Sequence, residues 1–580
     1  MLPFQTRKLL LICLLACLHF SGCAFKIIEE EMVKTRTSTK EPGKHGYTRK
    51  ADRIRRRELT GPDPSIRIGL MEEYDRIQFS FEGRYDLLNL AGDVIAEGIV
   101  SDQKWRAVPD RTVEARAVYS ILTTAFARRD AADQLRRSLS AKDHPARVAE
   151  VGEEIAIDGK VVANNLKYRV LVGRWSTERD ARDYLEIFRE DFAPRIIRQV
   201  IRPSTGSIEL FNEDYTSSHL IEDGIRLVPK DENCRVTLFS VREGTGFHWE
   251  REIDREYTGI IEFRLDPRAL LMALTEIPLE QYLKGVVPAE MPASYPLEAL
   301  KAQAIAARSE VLAKIGVKHL NDPFDLCATV HCQVYSGCTN LHEHTSDAVE
   351  ATRGQVLIVK KHVAEAVYSS CCGGHTENKV NVWNPPEADH LQGIWDSSDK
   401  SEKDPDLDLT TEFGAHNWVN SEPDAWCNAK SFDELPTILD RSTRYFRWEF
   451  SYPRRELEEI IRRKSGEDIG ELIDIIPLER GVSGRLMELE IQGTRRNLRI
   501  QRELNIRRIL STSYLYSACF DIQVEHGDDG RPINFILKGA GFGHGVGMCQ
   551  VGAGVMAAKD REFKQILTHY YPGVNVEKVY

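Results

Sequence analysis

A glycine-rich segment near the C-terminal end of the chain constrains the fold more than any other stretch. Residues 539–554 read GAGFGHGVGMCQVGAG and contain seven glycines in sixteen positions. Glycine lets a backbone approach its neighbours closely, so this density indicates chain packed against a substrate or against another strand. No Lys-Ser or Lys-Thr pair follows the glycines, so the segment does not resemble a phosphate-binding loop.

The size and charge of the chain limit what it does. Its 580 residues exceed a single core of typical size, so we expect two to four domains. Hydrophobic residues make up 42% and charged residues 29%, which is typical of a protein that folds in water. The net charge of -11 provides no global basic field, and we therefore expect no nucleic-acid partner.

The N-terminus predicts export. Two basic residues precede the apolar run 9–18, which is about half of the roughly 20 residues that a transmembrane helix needs. The following residues resemble a bacterial lipobox ending at Cys23, with Phe20 in place of the usual leucine. We expect a membrane-anchored lipoprotein on the periplasmic face, lipidated at Cys23, and Ala24 indicates the outer membrane in a cell with two membranes. Export followed by simple cleavage is the alternative.

Shifts in composition divide the rest of the chain. The basic stretch after the signal is either a solvated tether or a contact for anionic lipid or wall polymer. Short alternating apolar runs separated by Gly, Asp and Asn then predict β-rich modules. We predict an α+β, multidomain protein whose segments are a signal at 1–23, a linker at 24–62, a β-rich module at 63–160, a strand-helix-strand segment at 161–205, a β-rich lead-in at 206–260, and a mixed α/β catalytic domain at 261–580.

The strand-helix-strand segment has a recognisable pattern. Strands are predicted at 168–173 and 196–200, and between them a helix is predicted to begin after Ser176 as its N-cap. The segment resembles half of a SPOR-type repeat, a module associated with binding the glycan strands of peptidoglycan. Wall binding and a purely structural role are both open.

A single glutamate stands out ahead of a predicted helix. Glu290 lies between Pro288 and Pro292, which stiffen the backbone, and a helix with Ser294 as its N-cap is predicted through Lys314. Apolar neighbours would desolvate this carboxyl and raise its pKa toward that of a general acid. The alternative is a carboxylate that is merely favourable beside a helix N-terminus.

Cysteine and histidine cluster in residues 319–335. Cys13 and Cys17 lie in the predicted signal, and Cys23 is the predicted lipidation site, which leaves nine of the twelve cysteines. An odd number of cysteines cannot all form disulfides within the chain. Soft thiolates and imidazoles at this density suit tetrahedral zinc, although a disulfide from Cys327 to Cys332 or Cys338 is the alternative. No HExxH helix is present, so a metallopeptidase has no support. The predicted zinc ligands, hereafter the Cys/His box, are His319, Cys327, His331 and Cys332.

A second glycine-containing turn follows two predicted strands. Residues 368–378 read YSSCCGGHTEN, and Gly373 and Gly374 permit close backbone approach. The turn would present His375 and Glu377 to a ligand, or it is a tight structural turn.

These blocks, in this order, resemble the SpoIID/LytB family from about Ile261 to Tyr580. The motifs that carry the resemblance are VVPAEMP, KAQAIAARS, DLCATVHCQVY, GGHTEN, and GFGHGVGMCQVGA followed by ILTHYYPG. The resemblance implies lytic transglycosylase activity on peptidoglycan, with a preference for glycan strands already stripped of peptides by an amidase.

The resemblance also assigns roles to residues. Glu290 matches the catalytic acid, and Arg308 matches an arginine that supports it. The Cys/His box matches a zinc site found in some members. Cys372 and Cys549 stand where small residues are common. The residues expected to contact substrate are His375, Glu377 and His544.

The implied chemistry needs only one good carboxyl. Glycoside hydrolases usually use two, whereas a transglycosylase uses the C6 hydroxyl of its own substrate as nucleophile. Glu290 would protonate the oxygen between N-acetylmuramic acid and N-acetylglucosamine and then accept the C6 proton, leaving a 1,6-anhydro ring. The alternatives are a non-catalytic, peptidoglycan-binding enhancer of a cell-wall amidase and a wall-tethering scaffold.

Overall fold

The computed structural model describes residues 55–580, except 189–193, 246–249, 384–387, 398–406 and 441. The predicted export signal, Cys23 and most of the predicted linker lie outside these residues. Among the residues described, no helix combines the length and hydropathy that crossing a bilayer requires.

Two large sheets form a β body from strands that are far apart in sequence. Alternate side chains of these strands point into the core. In Ile77–Glu82, for example, Ile77, Phe79 and Phe81 are buried while the residues between them are less buried. In spatial order the seven-stranded sheet comprises Leu326–Cys327, Ser65–Tyr74, Leu271–Pro278, Ile260–Leu265, Gly224–Pro229, Tyr85–Asn89 and Val94–Ile99. The six-stranded sheet comprises Ser218–Glu222, Thr205–Asn212, Trp105–Val113, Ile77–Glu82, Arg235–Glu243 and Arg251–Tyr257.

The β body changes the predicted boundaries. The segments predicted as separate modules at 63–160 and 206–260 pair with each other, because Gly224–Pro229 lies beside Tyr85–Asn89. Strands Ile260–Leu265 and Leu271–Pro278, predicted as part of the catalytic domain, also belong to this body. Alternation predicted the strands correctly, but it carries no information on which distant strands pair.

A smaller α+β unit is inserted between two strands of the β body. Its antiparallel sheet runs, in spatial order, Arg195–Arg202, Arg116–Phe126, Lys167–Trp175 and Ala146–Val151. Helices Arg129–Ala141 and Glu178–Ile187 accompany it, around a separate small core. The unit is therefore about twice as long as the predicted segment 161–205. The helix N-cap is Thr177 and not Ser176, because the Thr177 hydroxyl accepts the Asp180 N–H at 3.2 Å.

The predicted linker ends earlier than residue 62. Arg56–Leu59 is a strand that pairs in parallel with Glu154–Ile157, and Lys160–Asn164 completes this three-stranded sheet. Arg57 forms ion pairs with Glu153 and Asp325. Arg56 and Arg57 therefore have specific partners in the fold, and these two residues are not part of a solvated tether.

Helices and short strands follow the β body. The helix predicted through Lys314 spans Leu297–Lys314, but Pro296 and not Ser294 precedes its first residue, because Ser294 lies in the turn before it. The other helices of this region are Leu279–Glu290, Glu343–Ala351, Gln550–Ala558 and Phe563–Tyr570. Its strands are Gln355–Val359, His362–Val363, Asn575–Lys578 and the parallel pair Tyr368–Ser369 and Met548–Cys549.

A second hydrophobic core occupies residues 447–540, so the predicted domain 261–580 contains more than one core. Its strands are Arg447–Pro453, Leu472–Arg480, Leu486–Gly493, Leu498–Gln501, Phe520–His526 and Pro532–Ala540, and its helices are Arg454–Ser465 and Glu503–Ile509. Short helices join it to the rest: Lys379–Val382, Asp389–Leu391, Glu412–Val419, Ala429–Ser431, Thr437–Asp440 and Thr443–Phe446. The predicted α+β, multidomain class is confirmed.

A buried ion pair joins the two helices that flank residues 291–296. The Arg308 guanidinium donates to both oxygens of Glu280, at 2.8 and 2.6 Å, and both side chains are fully buried. Glu280 also accepts the Gly354 N–H at 3.1 Å and the Tyr580 hydroxyl at 2.6 Å. The pair therefore connects both helices with the C-terminal residue of the chain.

Arg308→Met is expected to destabilise the protein by ~3–5 kcal/mol, because it leaves the Glu280 carboxylate buried without its cation. The double variant Glu280→Met/Arg308→Met should recover most of that loss, since it removes both charges. Urea unfolding followed by circular dichroism measures both. The control is Lys301→Met on the same helix, which breaks a less buried pair with Glu298 and should cost no more than ~1 kcal/mol. Equal losses in Arg308→Met and the control would contradict the structural role.

Candidate functional site

Glu290 is the last residue of the helix Leu279–Glu290. The chain leaves the helix at Met291, which has an extended conformation, and Pro288 lies inside the last turn. The carboxyl is thus at a helix C-terminus, where the helix dipole disfavours negative charge. The alternative of a carboxylate stabilised by a helix N-terminus therefore does not fit.

The environment of the Glu290 carboxyl favours its protonated form. Its Oε1 accepts the Val334 N–H at 2.7 Å. Burial nevertheless outweighs this hydrogen bond and raises the pKa of Glu290 to about 7. At neutral pH both protonation states are populated, which suits a group that first donates and then accepts a proton.

Three polar side chains that the sequence did not single out lie near Glu290. Gln550 Nε2 donates to the Glu290 carbonyl oxygen at 3.0 Å and to Gln303 Oε1 at 3.2 Å. The charge of Glu290 adds to the effect of burial in raising the pKa of Tyr368. The Tyr368 hydroxyl and Gln303 Nε2 are buried without a hydrogen-bond partner among the described residues. Such unpaired groups beside a carboxyl of raised pKa indicate a site for a polar ligand.

Arg308 acts on Glu290 less directly than the sequence led us to expect. Its guanidinium pairs with Glu280 in the interior of the helix layer, so any influence on Glu290 acts through the helix that they share. The difference arises because Glu280 and Glu290 are ten residues apart on one helix and present their carboxyls at different places.

Glu377, predicted to contact substrate, makes several hydrogen bonds within the fold. Its carboxylate is buried and accepts the Ser483 hydroxyl at 2.6 Å, the Ser483 N–H at 3.2 Å and the Asn381 amide at 2.8 Å. With its oxygens engaged inside the fold, Glu377 anchors the loop at Ser483. This long-range contact left no signal in the local sequence.

The GGHTEN turn packs against the glycine-rich segment. Gly373 has a φ of 78°, and a Cβ there would lie 2.7 Å from the Gly541 nitrogen. The strands Tyr368–Ser369 and Met548–Cys549 pair beside it. Of the two explanations for the glycine density, contact with another strand is therefore confirmed. His375 donates from Nδ1 to the Thr376 carbonyl oxygen at 2.6 Å. The backbone of His375 forms an isolated antiparallel β-bridge with that of Trp395.

His544 lies near Tyr368 as a neutral imidazole. Its Nδ1 accepts the Val546 N–H at 3.0 Å. Its ring packs against the Trp383 ring, with the two ring centroids 4.8 Å apart. Burial, aided by the charge of Arg485, lowers the pKa of His544 to about 3, while a hydrogen bond to the Tyr368 backbone opposes the shift. His544 can therefore contact a ligand as a hydrogen-bonding or stacking group but does not serve as a cation.

The Cys/His box comes together in space. Its four ligand atoms lie within 4.8 Å of one another. Cys332 Sγ is 3.3 Å from His319 Nε2 and 3.5 Å from His331 Nδ1, close to the ~3.6 Å between ligands around a tetrahedral zinc ion. Asp322 accepts from His319 Nδ1 at 2.9 Å and so directs Nε2 toward the thiols. The donor set fits zinc, and both cysteines are free thiols.

The Cys/His box is linked to Glu290 through the chain. The Val334 N–H that contacts Glu290 follows Cys332 by two residues, and Leu326–Cys327 is a strand of the β body. The loop that carries the box therefore both rests on the β body and contacts the candidate acid.

Family models match three parts of the chain. A stage II sporulation protein model matches residues 269–358, a SPOR domain matches 115–198, and a domain of unknown function matches 377–547. The SPOR match confirms the predicted resemblance and extends it over the whole inserted unit, of which the sequence had revealed only the second half.

Relatives match a larger share of the chain. An uncharacterized protein of Brachyspira hyodysenteriae is 30% identical over 380 residues, which cover 64% of this chain and 88% of that protein. The amidase enhancer of Bacillus subtilis is 27% identical over 51% of this chain but only 40% of its own length. Stage II sporulation protein D of Bacillus amyloliquefaciens is 26% identical over 53% of this chain and 76% of its own length.

Glu290→Gln is expected to stabilise the protein at pH 8 by ~1–3 kcal/mol and to have little effect at pH 4. The carboxyl has a pKa of 4.5 when unfolded and about 7 when folded. Burying its charged form therefore costs free energy that grows between these values as pH rises, and glutamine carries no such charge. Urea unfolding of both proteins at the two pH values measures the difference. The exposed Glu343→Gln should show no such pH-dependent gain, and an equal effect of Glu290→Gln at both pH values would contradict the raised pKa.

Proposed function

Because the chain belongs to the SpoIID/LytB family, we propose that it is a peptidoglycan lytic transglycosylase with Glu290 as its general acid and base. The observation that carries the proposal is the Glu290 carboxyl with a pKa near 7, at a helix end beside unpaired polar groups. A carboxyl with this pKa is a competent acid before bond cleavage and a competent base after it.

The reaction is an intramolecular transfer. Protonated Glu290 donates its proton to the oxygen that links N-acetylmuramic acid to N-acetylglucosamine, and the bond from C1 to that oxygen breaks. The C6 hydroxyl of the same N-acetylmuramic acid forms the new bond to C1, and the Glu290 carboxylate accepts its proton. The products are a new N-acetylglucosamine hydroxyl end and a 1,6-anhydro ring, and no water is consumed. Tyr368 and Gln303 are the donors available to position the sugar.

Glu290→Gln is expected to lower the formation of anhydro ends from peptide-free glycan strands by at least ~10²-fold, since glutamine cannot transfer the proton. Mass spectrometry of the digested strands provides the measurement, and Glu343→Gln is the control that should retain activity. Equal amounts of anhydro ends from Glu290→Gln and from the original chain would contradict the assignment of Glu290 as the general acid and base. Reducing ends without the anhydro ring would instead indicate hydrolysis.

A second candidate function is stimulation of a cell-wall amidase. It is favoured by the relative named amidase enhancer and by the SPOR domain match, since SPOR domains are associated with binding peptidoglycan. In this case the chain would bind glycan and increase the release of peptides by a purified amidase without cutting glycan itself. Stimulation that persists in Glu290→Gln, together with no anhydro ends from the original chain, would favour the enhancer over the transglycosylase. An anchor at Cys23 would hold either activity at the membrane.

Zinc in the Cys/His box would cross-link the loop that delivers the Val334 N–H to Glu290. Its ligands would be His319, Cys327, His331 and Cys332. Bound there, zinc would supply structural stability, because this loop has little regular secondary structure of its own.

Cys332→Ser is expected to remove about one zinc equivalent per chain and to lower the thermal unfolding midpoint, because the site loses one of its two thiolates. Elemental analysis and circular dichroism give the two readouts. Cys234→Ser, at a buried cysteine outside the box, should leave the metal content unchanged. Unchanged zinc in Cys332→Ser would contradict the assignment.

A further inference from the structure

We propose that Cys372, Asp396, Cys427 and Cys549 form a second metal site, buried and separate from the Cys/His box, that binds Zn²⁺. Their four ligand atoms lie within 4.8 Å of one another, and all four residues are buried. They come from four separate segments of the chain, so no short sequence motif predicts the site. We call this group the thiol cluster.

The sulfur of Cys549 is surrounded by backbone donors. Its Sγ accepts the Cys372 N–H at 3.2 Å and the Gly552 N–H at 3.4 Å. Cys549 is also the N-cap of the helix Gln550–Ala558, and the positive end of a helix dipole favours a thiolate. The fold thus provides donors for a negatively charged sulfur, the form in which cysteine binds metal.

The carboxylate of Asp396 is oriented toward the sulfurs. Its Oδ1 accepts the Tyr570 hydroxyl at 2.8 Å and His569 Nε2 at 3.1 Å. Its Oδ2 is 3.3 Å from Cys372 Sγ and accepts the Cys427 N–H at 3.1 Å. One oxygen is therefore held by outer partners while the other faces the thiols, as in the second shell of a metal-binding carboxylate.

A disulfide explains the thiol cluster less well. Cys372 Sγ and Cys427 Sγ are 3.4 Å apart, well beyond the ~2.05 Å of a disulfide bond. A disulfide between two of the three sulfurs would also leave Asp396 oriented toward a position that holds no cation. Three thiolates and one carboxylate around a point favour a soft, tetrahedral ion such as Zn²⁺ over Mg²⁺ or Ca²⁺, which prefer oxygen ligands.

The thiol cluster lies next to the candidate acid. Cys549 precedes Gln550, whose side chain donates to the Glu290 carbonyl oxygen. Cys372 directly precedes the Gly373-Gly374 turn. A metal here would join the GGHTEN turn, the glycine-rich segment and the segments at 396 and 427, and would fix Gln550 against Glu290. The site is independent of which reaction the protein performs, since it rests on the ligand geometry alone.

Zinc content tests the proposal on the full chain. The reduced protein, loaded with Zn²⁺ and freed of loosely bound metal, should hold about two equivalents by elemental analysis. Cys327→Ser/Cys332→Ser should hold one, and Cys427→Ser/Cys549→Ser should also hold one. The matched control is Cys519→Ser, a buried cysteine outside both groups, which should hold two. A single equivalent in the original chain that is lost in Cys327→Ser/Cys332→Ser would overturn the proposal.

A Co²⁺ titration isolates the second site without mutating it. In the Cys327→Ser/Cys332→Ser background, thiolate-to-cobalt charge-transfer absorption should saturate at one Co²⁺ per chain. Tyr570→Phe, which removes one partner of Asp396 and keeps the ring, should weaken Co²⁺ binding there by ~10–100-fold. Absence of this absorption, or unchanged affinity in Tyr570→Phe, would overturn the site even where Cys427→Ser/Cys549→Ser fails to fold. Peptide mapping that finds a disulfide among Cys372, Cys427 and Cys549 in the protein isolated from its native cells would overturn it as well.

Discussion

The pair of Arg308 and Glu280 is the interaction on which the arrangement around the candidate acid depends. It joins the helix that ends at Glu290 to the long helix that follows. The same guanidinium donates to the Gln355 carbonyl oxygen at 3.0 Å, and Glu280 accepts the hydroxyl of Tyr580. A buried pair of this kind adds little stability over apolar packing but is costly to break. It therefore fixes the direction of the Glu290 helix more than it strengthens the fold.

Glu290 is then positioned by groups from distant parts of the chain. Val334 brings the loop of the Cys/His box to its carboxyl, and Gln550 brings the glycine-rich segment to its backbone carbonyl. Both proposed metal sites are adjacent to these contacts, the box beside Val334 and the thiol cluster beside Gln550. Two cross-links on either side of a single carboxyl would give it a rigid environment, which a general acid requires if its pKa is to stay raised.

The sequence predicted local features well, but it did not predict which distant residues contact each other. The helix through Lys314 and the nearness of the four box ligands follow from local patterns, and the structure agrees with them. The sequence did not show that Arg308 pairs with Glu280, because no spacing rule gives the distance in space between two residues. The hydrogen bond between Ser483 and Glu377 was not predicted for a similar reason, since Ser483 lies more than a hundred residues away. The full SPOR unit was also missed, because its two halves are separated by the strands Glu154–Ile157 and Lys160–Asn164.

By itself, the sequence determined the family, the α+β class and the identity of the candidate acid, because these depend on short motifs and on residue type. Only the tertiary structure decided how the β body is assembled, which carboxylate Arg308 meets, and that Cys372, Asp396, Cys427 and Cys549 converge. Local periodicity specifies strands and helices, whereas pairing between distant segments is set by the packing of the whole core. Burial, which raises the pKa of Glu290 to about 7, is likewise a property of that packing and not of the residues beside it.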